Sequence, residues 1–149
     1  MDEEMRELPI GQAEVLREGQ DLVLLAVGST VKPALEAANR LQYQGIEATV
    51  VNARFVKPLD EPLFSLLAAD IRRVITVEEN ALQGGFGSAV LELFEEKGIT
   101  GIQVKRLGIP DHFVEHGSQD YLRNKYGIDA EGILKAAGEL LKADHLPIR

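Results

Sequence analysis

The run Leu22-Val23-Leu24-Leu25-Ala26-Val27 has no polar side chain to turn toward water, and turn-forming residues, Gly19-Gln20-Asp21 and Gly28-Ser29-Thr30, close it on both sides. Side chains of a strand alternate between its faces, so a strand apolar throughout must be covered on both. Parallel sheets sandwiched between helices meet that need. The rest of the chain supplies the parts. Ala13–Leu16 reads as a short edge strand flanked by charge. Gly28-Ser29-Thr30 offers a helix cap, and Val31, Leu35, Ala38 and Leu41 recur at helical spacing until Gly45. Ile46–Val51 is a β-branched strand, and Pro58–Pro62 opens a helix through Leu63, Leu66 and Leu67. Val74–Val77 is a further buried strand. Gly84-Gly85-Phe86-Gly87-Ser88 leads into a helix with Val90, Leu91, Leu93 and Phe94, closed at Gly98. Ile102–Leu107 is the last strand. Asp129 caps a final helix to Lys142 with Ile133, Leu134, Ala137, Leu140 and Leu141 on one stripe. This alternation predicts an α/β, three-layer sandwich around a five-stranded mixed, mostly parallel sheet, with the first strand as its antiparallel member. Residues 1–8 read as an extension before a single domain over 9–149.

Composition narrows the function. With 149 residues the chain can bury a core without disulfides or metal. Sixteen Lys and Arg against 24 Asp and Glu give a net charge of −8, which argues against a nucleic-acid-binding face. The absence of Cys removes thiolate zinc sites, iron–sulfur clusters and Cys nucleophiles, and fits a reducing cytoplasm. The start, Met-Asp-Glu-Glu-Met-Arg-Glu, is too acidic for a signal peptide, and no apolar run approaches the ~20 residues of a membrane helix. No membrane or nucleic-acid partner is expected.

In sheets of this kind, ligand and partner surfaces gather at the loops after strand C-termini. These begin near Gly28-Ser29, Asn52-Ala53-Arg54, Glu78-Glu79-Asn80 and Gly108-Ile109-Pro110-Asp111. The Gly84–Ser88 turn could hold an anion on free N–H groups, or simply let a helix and a strand approach closely. Glu78 and Glu79 point to opposite faces, so at most one faces any one site. The expectation is that one binds a neighbouring loop or subunit and the other is solvated. Arg54 could bind a carboxylate or phosphate, with an ion pair across an interface the favoured use. His112-Phe113-Val114-Glu115-His116 matches the His-x-x-Glu-His pattern of some zinc proteases, but Pro110 and Gly117 leave no room for the long helix that pattern needs. These histidines are expected to serve hydrogen bonds or an interface, and His145 to be exposed. Ser29, Ser65, Ser88 and Ser118 have cap or turn explanations, and no Ser-His-Asp set can be assembled.

Four segments in order, Leu8–Gly19, Val51–Asp60, Thr76–Asn80 with Gly84–Val90, and Leu107–Gly117, resemble the C-terminal domain of the 1-deoxy-D-xylulose-5-phosphate synthase family. The broader group of transketolase C-terminal domains, including 2-oxoacid dehydrogenase beta subunits, shares the strand-Glu-turn-Gly-Gly pattern but is less similar around Asn52–Asp60 and Gly108–Gly117. The resemblance implies a three-domain homodimer that condenses pyruvate with glyceraldehyde 3-phosphate, losing carbon dioxide, with thiamine diphosphate and magnesium. It places the diphosphate and metal site in the first domain, and the ring-activating glutamate in the second. This chain matches only the third, and it has no Gly-Asp-Gly…Asn motif.

Accordingly no catalytic, cofactor-binding or metal residue is assigned, and this chain alone is expected to be inactive. The implied partners are the preceding two domains and a homodimer mate. The residues expected to brace them are Arg54, Glu78, Asn80, Gly84, Gly85, Asp111, His112 and His116. Two other readings stay open: the matching domain of a 2-oxoacid dehydrogenase beta subunit, and a self-standing anion-binding regulatory module built on the Gly84–Ser88 turn.

Overall fold

A computed structural model describes residues 7–143; His145 lies outside them. The sheet order is β1-β3-β2-β4-β5, with β1 Glu14–Arg17, β2 Leu22–Ala26, β3 Ala48–Asn52, β4 Arg73–Ala81 and β5 Gln103–Ile109. The last four run parallel, and β1 alone is antiparallel, pairing Glu14 with Asn52 and slipping register between Val15 and Arg17. The mixed sheet and its antiparallel first strand are as the sequence predicts.

β2 sits at the centre and every residue in it is buried. Its alternate side chains enter two separate cores. Leu22, Leu24 and Ala26 join Val50, Ile75 and Val77 under α1 (Val31–Gln42) and α5 (Ala130–Ala143). Val23 and Leu25 join Val51 and Val74 under α2 (Glu61–Ile71) and α3 (Phe86–Glu96). Phe64 of α2 meets Phe86 of α3 edge-on, ring centroids 6.3 Å apart. Helices thus cover both faces, in three layers.

Three local expectations are corrected. The Gly28-Ser29-Thr30 segment is a 3-10 turn running straight into α1, so the Thr30 hydroxyl does not cap α1 but accepts the Val27 N–H at 3.2 Å, at the start of the turn. It also turns inward and donates to the Val77 carbonyl at 2.8 Å, tying the turn to β4. The helix α2 begins at Glu61, with the Asp60 carboxylate accepting from the Leu63 N–H. β4 does not stop at Val77 but continues through Glu78, Glu79, Asn80 and Ala81, and β5 continues to Ile109. A further helix, α4 (Gln119–Tyr126), follows the β5 loop, with the Ser118 hydroxyl as its cap and Gly127 as its left-handed stop. Asp129 does cap α5, accepting from the Gly132 N–H at 2.9 Å.

Candidate functional site

Since β2 to β5 are parallel, their C-terminal ends share one edge of the sheet, where Glu14 of β1 also begins. Glu78 lies on the α3 face of that edge and is fully buried. One carboxylate oxygen accepts the Phe86 N–H at 2.7 Å, and the other accepts the Gly87 N–H at 2.9 Å. The start of a helix leaves such N–H groups unpaired and partly positive, which favours an anion there. Here the anion is the chain's own. Of the two uses open to the Gly84–Ser88 turn, close approach is the one seen, and the Phe86 and Gly87 N–H groups already hold a carboxylate from within the chain.

Small residues make room for this contact. A Cβ on Gly85 would lie 2.4 Å from Glu78 Oε2 and 2.3 Å from the Ala81 carbonyl. One on Gly108 would lie 3.0 Å from Glu78 Cγ, and one on Gly87 2.6 Å from the Thr76 hydroxyl. The turn is closed by Ser88, whose hydroxyl donates to the Leu82 carbonyl at 2.8 Å, and by Arg106, which donates to both.

Glu79 points to the other face, and it is not left to solvent. Arg123 of α4 donates to it at 2.5 Å, and Gln119 at 3.2 Å. Partial burial works against its charge, but hydrogen bonds from Ser29, Arg123 and Gln119, with the Arg123 charge, together hold its carboxyl below the ordinary range. That direction sets the pH sense. The stabilisation is complete above the unfolded carboxylate's value and is lost as pH falls through the lowered folded one.

Arg54 stands at a φ of 58°, in a turn where its N–H donates to the Asn52 side chain at 3.1 Å. Its guanidinium meets Glu14 at 2.6 Å, so the ion pair is made within the chain, joining the end of β3 to the start of β1. The pair is half-exposed, so Arg54→Glu should cost about 1 kcal/mol in urea denaturation, and the double exchange Glu14→Arg/Arg54→Glu should recover most of it. No recovery would mean that the two side chains do not act as a pair.

The Asp111–His116 segment has no helix, so its histidines do not share a helix face. The His112 ring packs edge-on against Tyr126, with Nε2 3.3 Å from the phenol oxygen. Glu115 pairs with Lys125, which holds its carboxyl below the usual range. Phe113 between them is wholly exposed. The structure thus brings Glu78, Gly84 and Gly85 into one knot and seats Arg54 at the β1 side, while the Asp111–His116 segment hangs from α4. Sequence reasoning missed Arg123 and Arg106, which tie these loops down; Arg106 shares a face with Val104 on a half-buried edge strand and gave no other signal.

The arrangement has relatives. A family model described as "Transketolase, C-terminal domain" matches residues 11–133. The chain belongs to the transketolase C-terminal domain family. This transketolase C-terminal domain is 57% identical over 147 residues to 1-deoxy-D-xylulose-5-phosphate synthase 1 of Geobacter sulfurreducens, covering 99% of the chain and 23% of that protein. It is 53% identical over 144 residues to the synthase of Aquifex aeolicus, covering 97% of the chain and again 23% of the relative. It therefore spans less than a quarter of the length of these curated relatives. Among solved structures it resembles a split gene transketolase, an inactive beta4 tetramer, at 36% identity and a TM-score of 0.84, over 92% of this chain and 44% of that one. A mutant transketolase from Pichia stipitis, at 18% identity and a TM-score of 0.61 over 89% of this chain and 18% of that one, shares the fold.

Proposed function

We propose that this domain, over residues 9–149, is the C-terminal part of a thiamine-diphosphate-dependent 1-deoxy-D-xylulose-5-phosphate synthase, a cytoplasmic homodimer joining pyruvate to glyceraldehyde 3-phosphate with loss of carbon dioxide. Its task there is to brace the neighbouring domain and the dimer, and alone it carries no such activity. The relatives named above support the parent enzyme. The observation that carries the bracing role is that the charged side chains at the strand ends are spent inside the domain. Glu78 holds α3, Glu79 holds α4, and Arg54 holds Glu14. Such pairing orders the rim from within, and it leaves Asn80, the Gly84–Gly85 turn and the Asp111–His116 loop, with its bare Phe113, to meet a neighbour.

The residues present do not fit the cofactor. The N–H pair that would suit a diphosphate already holds a carboxylate, and among the described residues no three His, Asp or Glu side chains gather around a possible cation. No step of the reaction is assigned to this chain. Among the described residues no helix is long and apolar enough to cross a membrane.

A domain exchange tests the reading. Placing this chain in the matching segment of the Geobacter sulfurreducens synthase should leave a dimer with synthase activity, whereas deleting that segment should abolish both. A deletion variant that still assembles and turns over, or a folded exchange variant without activity, would refute the bracing role.

A further inference from the structure

The segment from Pro110 to Gly127 is bound to the domain in a way the rest of the chain is not. Its helix, α4, contains no buried residue, whereas each of the other four helices contributes at least two side chains to a core. A helix held without apolar burial depends on its polar contacts. The strongest of these converge on one carboxylate, Glu79, which receives Arg123 at 2.5 Å and Gln119 at 3.2 Å. The side chain of Arg123 is only 16% exposed, so this pair is better shielded than the Lys125–Glu115 pair. An open groove of about 430 Å³ runs beside it, between Lys32 and Arg40 of α1, Arg123, and Glu131 of α5. The helix thus bridges a gap rather than filling one.

Both ends of the segment are fixed. β5 holds its start at Ile109, next to Pro110. At its end Gly127 takes a φ of 66°, and Ile128 is buried in the α1–α5 core. Glu115 to Lys125 and Tyr121, and His112 to Tyr126, are contacts within the segment and would travel with it, while Asn124 donates to Asp129 at 2.9 Å just past Gly127, beside the hinge.

We infer that residues 110–127 form a hinged strap, latched to the strand ends by Glu79 through Arg123 and Gln119, that lifts as a unit about Pro110 and Gly127 while the sheet stays folded. Lifting widens the groove on its Asp120–Arg123 side and carries Phe113 with it. The inference does not depend on the parent enzyme, and it is tested on the chain as it stands.

Hydrogen exchange followed by mass spectrometry reads it directly. Glu79→Gln should raise exchange in peptides within 111–127 by about tenfold and leave those of β2, β4 and α5 unchanged. Arg123→Gln should do the same, and the double variant should add little more, because either change opens the one latch. Raising ionic strength should speed exchange of the strap in the parent but not in Glu79→Gln. If Glu79→Gln loosens β4 and α5 along with the strap, Glu79 is a structural support of the whole domain and the strap is wrong. Unchanged exchange in 111–127 would equally overturn it.

Discussion

Glu78→Ala should destabilise this domain by about 3 kcal/mol and lower its melting temperature by about 10 °C. The carboxylate has no exposed surface, and it is the partner of the Phe86 and Gly87 N–H groups. Removing it strands two buried donors at the positive end of α3, and each such donor costs on the order of 1–3 kcal/mol when unpaired. Glu78→Gln keeps one acceptor oxygen but turns an amide N–H toward a backbone N–H, so roughly half the loss should remain. Urea denaturation gives the energies. Amide exchange at Phe86 and Gly87 should rise more than at α5, which lies on the other face. An alanine variant within about 0.5 kcal/mol of the parent would show that the contact is incidental.

Gly85→Ala should be nearly as damaging, at roughly 3 kcal/mol, while Gly84→Ala next to it should cost only about 1 kcal/mol. The two glycines are needed for different reasons. Gly85 has an ordinary φ of −87°, but a Cβ there would sit 2.3 Å from the Ala81 carbonyl and 2.4 Å from the Glu78 carboxylate, and neither can retreat. Gly84 has open space around it but a φ of +72°, so a side chain pays only in backbone strain. The order of the two losses is the check, and equal losses would mean that the turn relaxes away from Glu78.

The Glu78 knot also explains what the sequence could and could not disclose. Apolar periodicity located both cores because β2 and the stripes of α1, α3 and α5 are apolar where they are buried. It ended β4 at Val77 because Glu78, Glu79 and Asn80 look like loop residues. They remain in the strand because helices on both faces supply partners for the two carboxylates, a long-range fact that no local window contains. The helix α4 was invisible for the opposite reason. Gln119-Asp120-Tyr121-Leu122-Arg123-Asn124-Lys125-Tyr126 has no buried stripe, and only Ser118 and Gly127 mark its ends. The glycine-rich turn stands out in the sequence with two uses open to it, but nothing local names the group that meets its N–H pair. The charge that fills it lies eight and nine residues upstream.

The placement of β2 has a consequence for how such a chain survives at high concentration. Leu22–Ala26 is the kind of uncharged, β-prone stretch that stacks into fibrils when a sheet offers it an open border. Here two strands shield it on either side. The border on one flank is β1, only four residues long, out of register between Val15 and Arg17 and ended by Glu14 and Arg17. The border on the other carries Lys105 and Arg106 at its middle. A molecule adding itself to the first border would meet a broken hydrogen-bond ladder, and at the second the long side chains of Lys105, held by Glu139, and Arg106, held by Ser88, so the stretch most capable of seeding aggregation lies two strands in from either border.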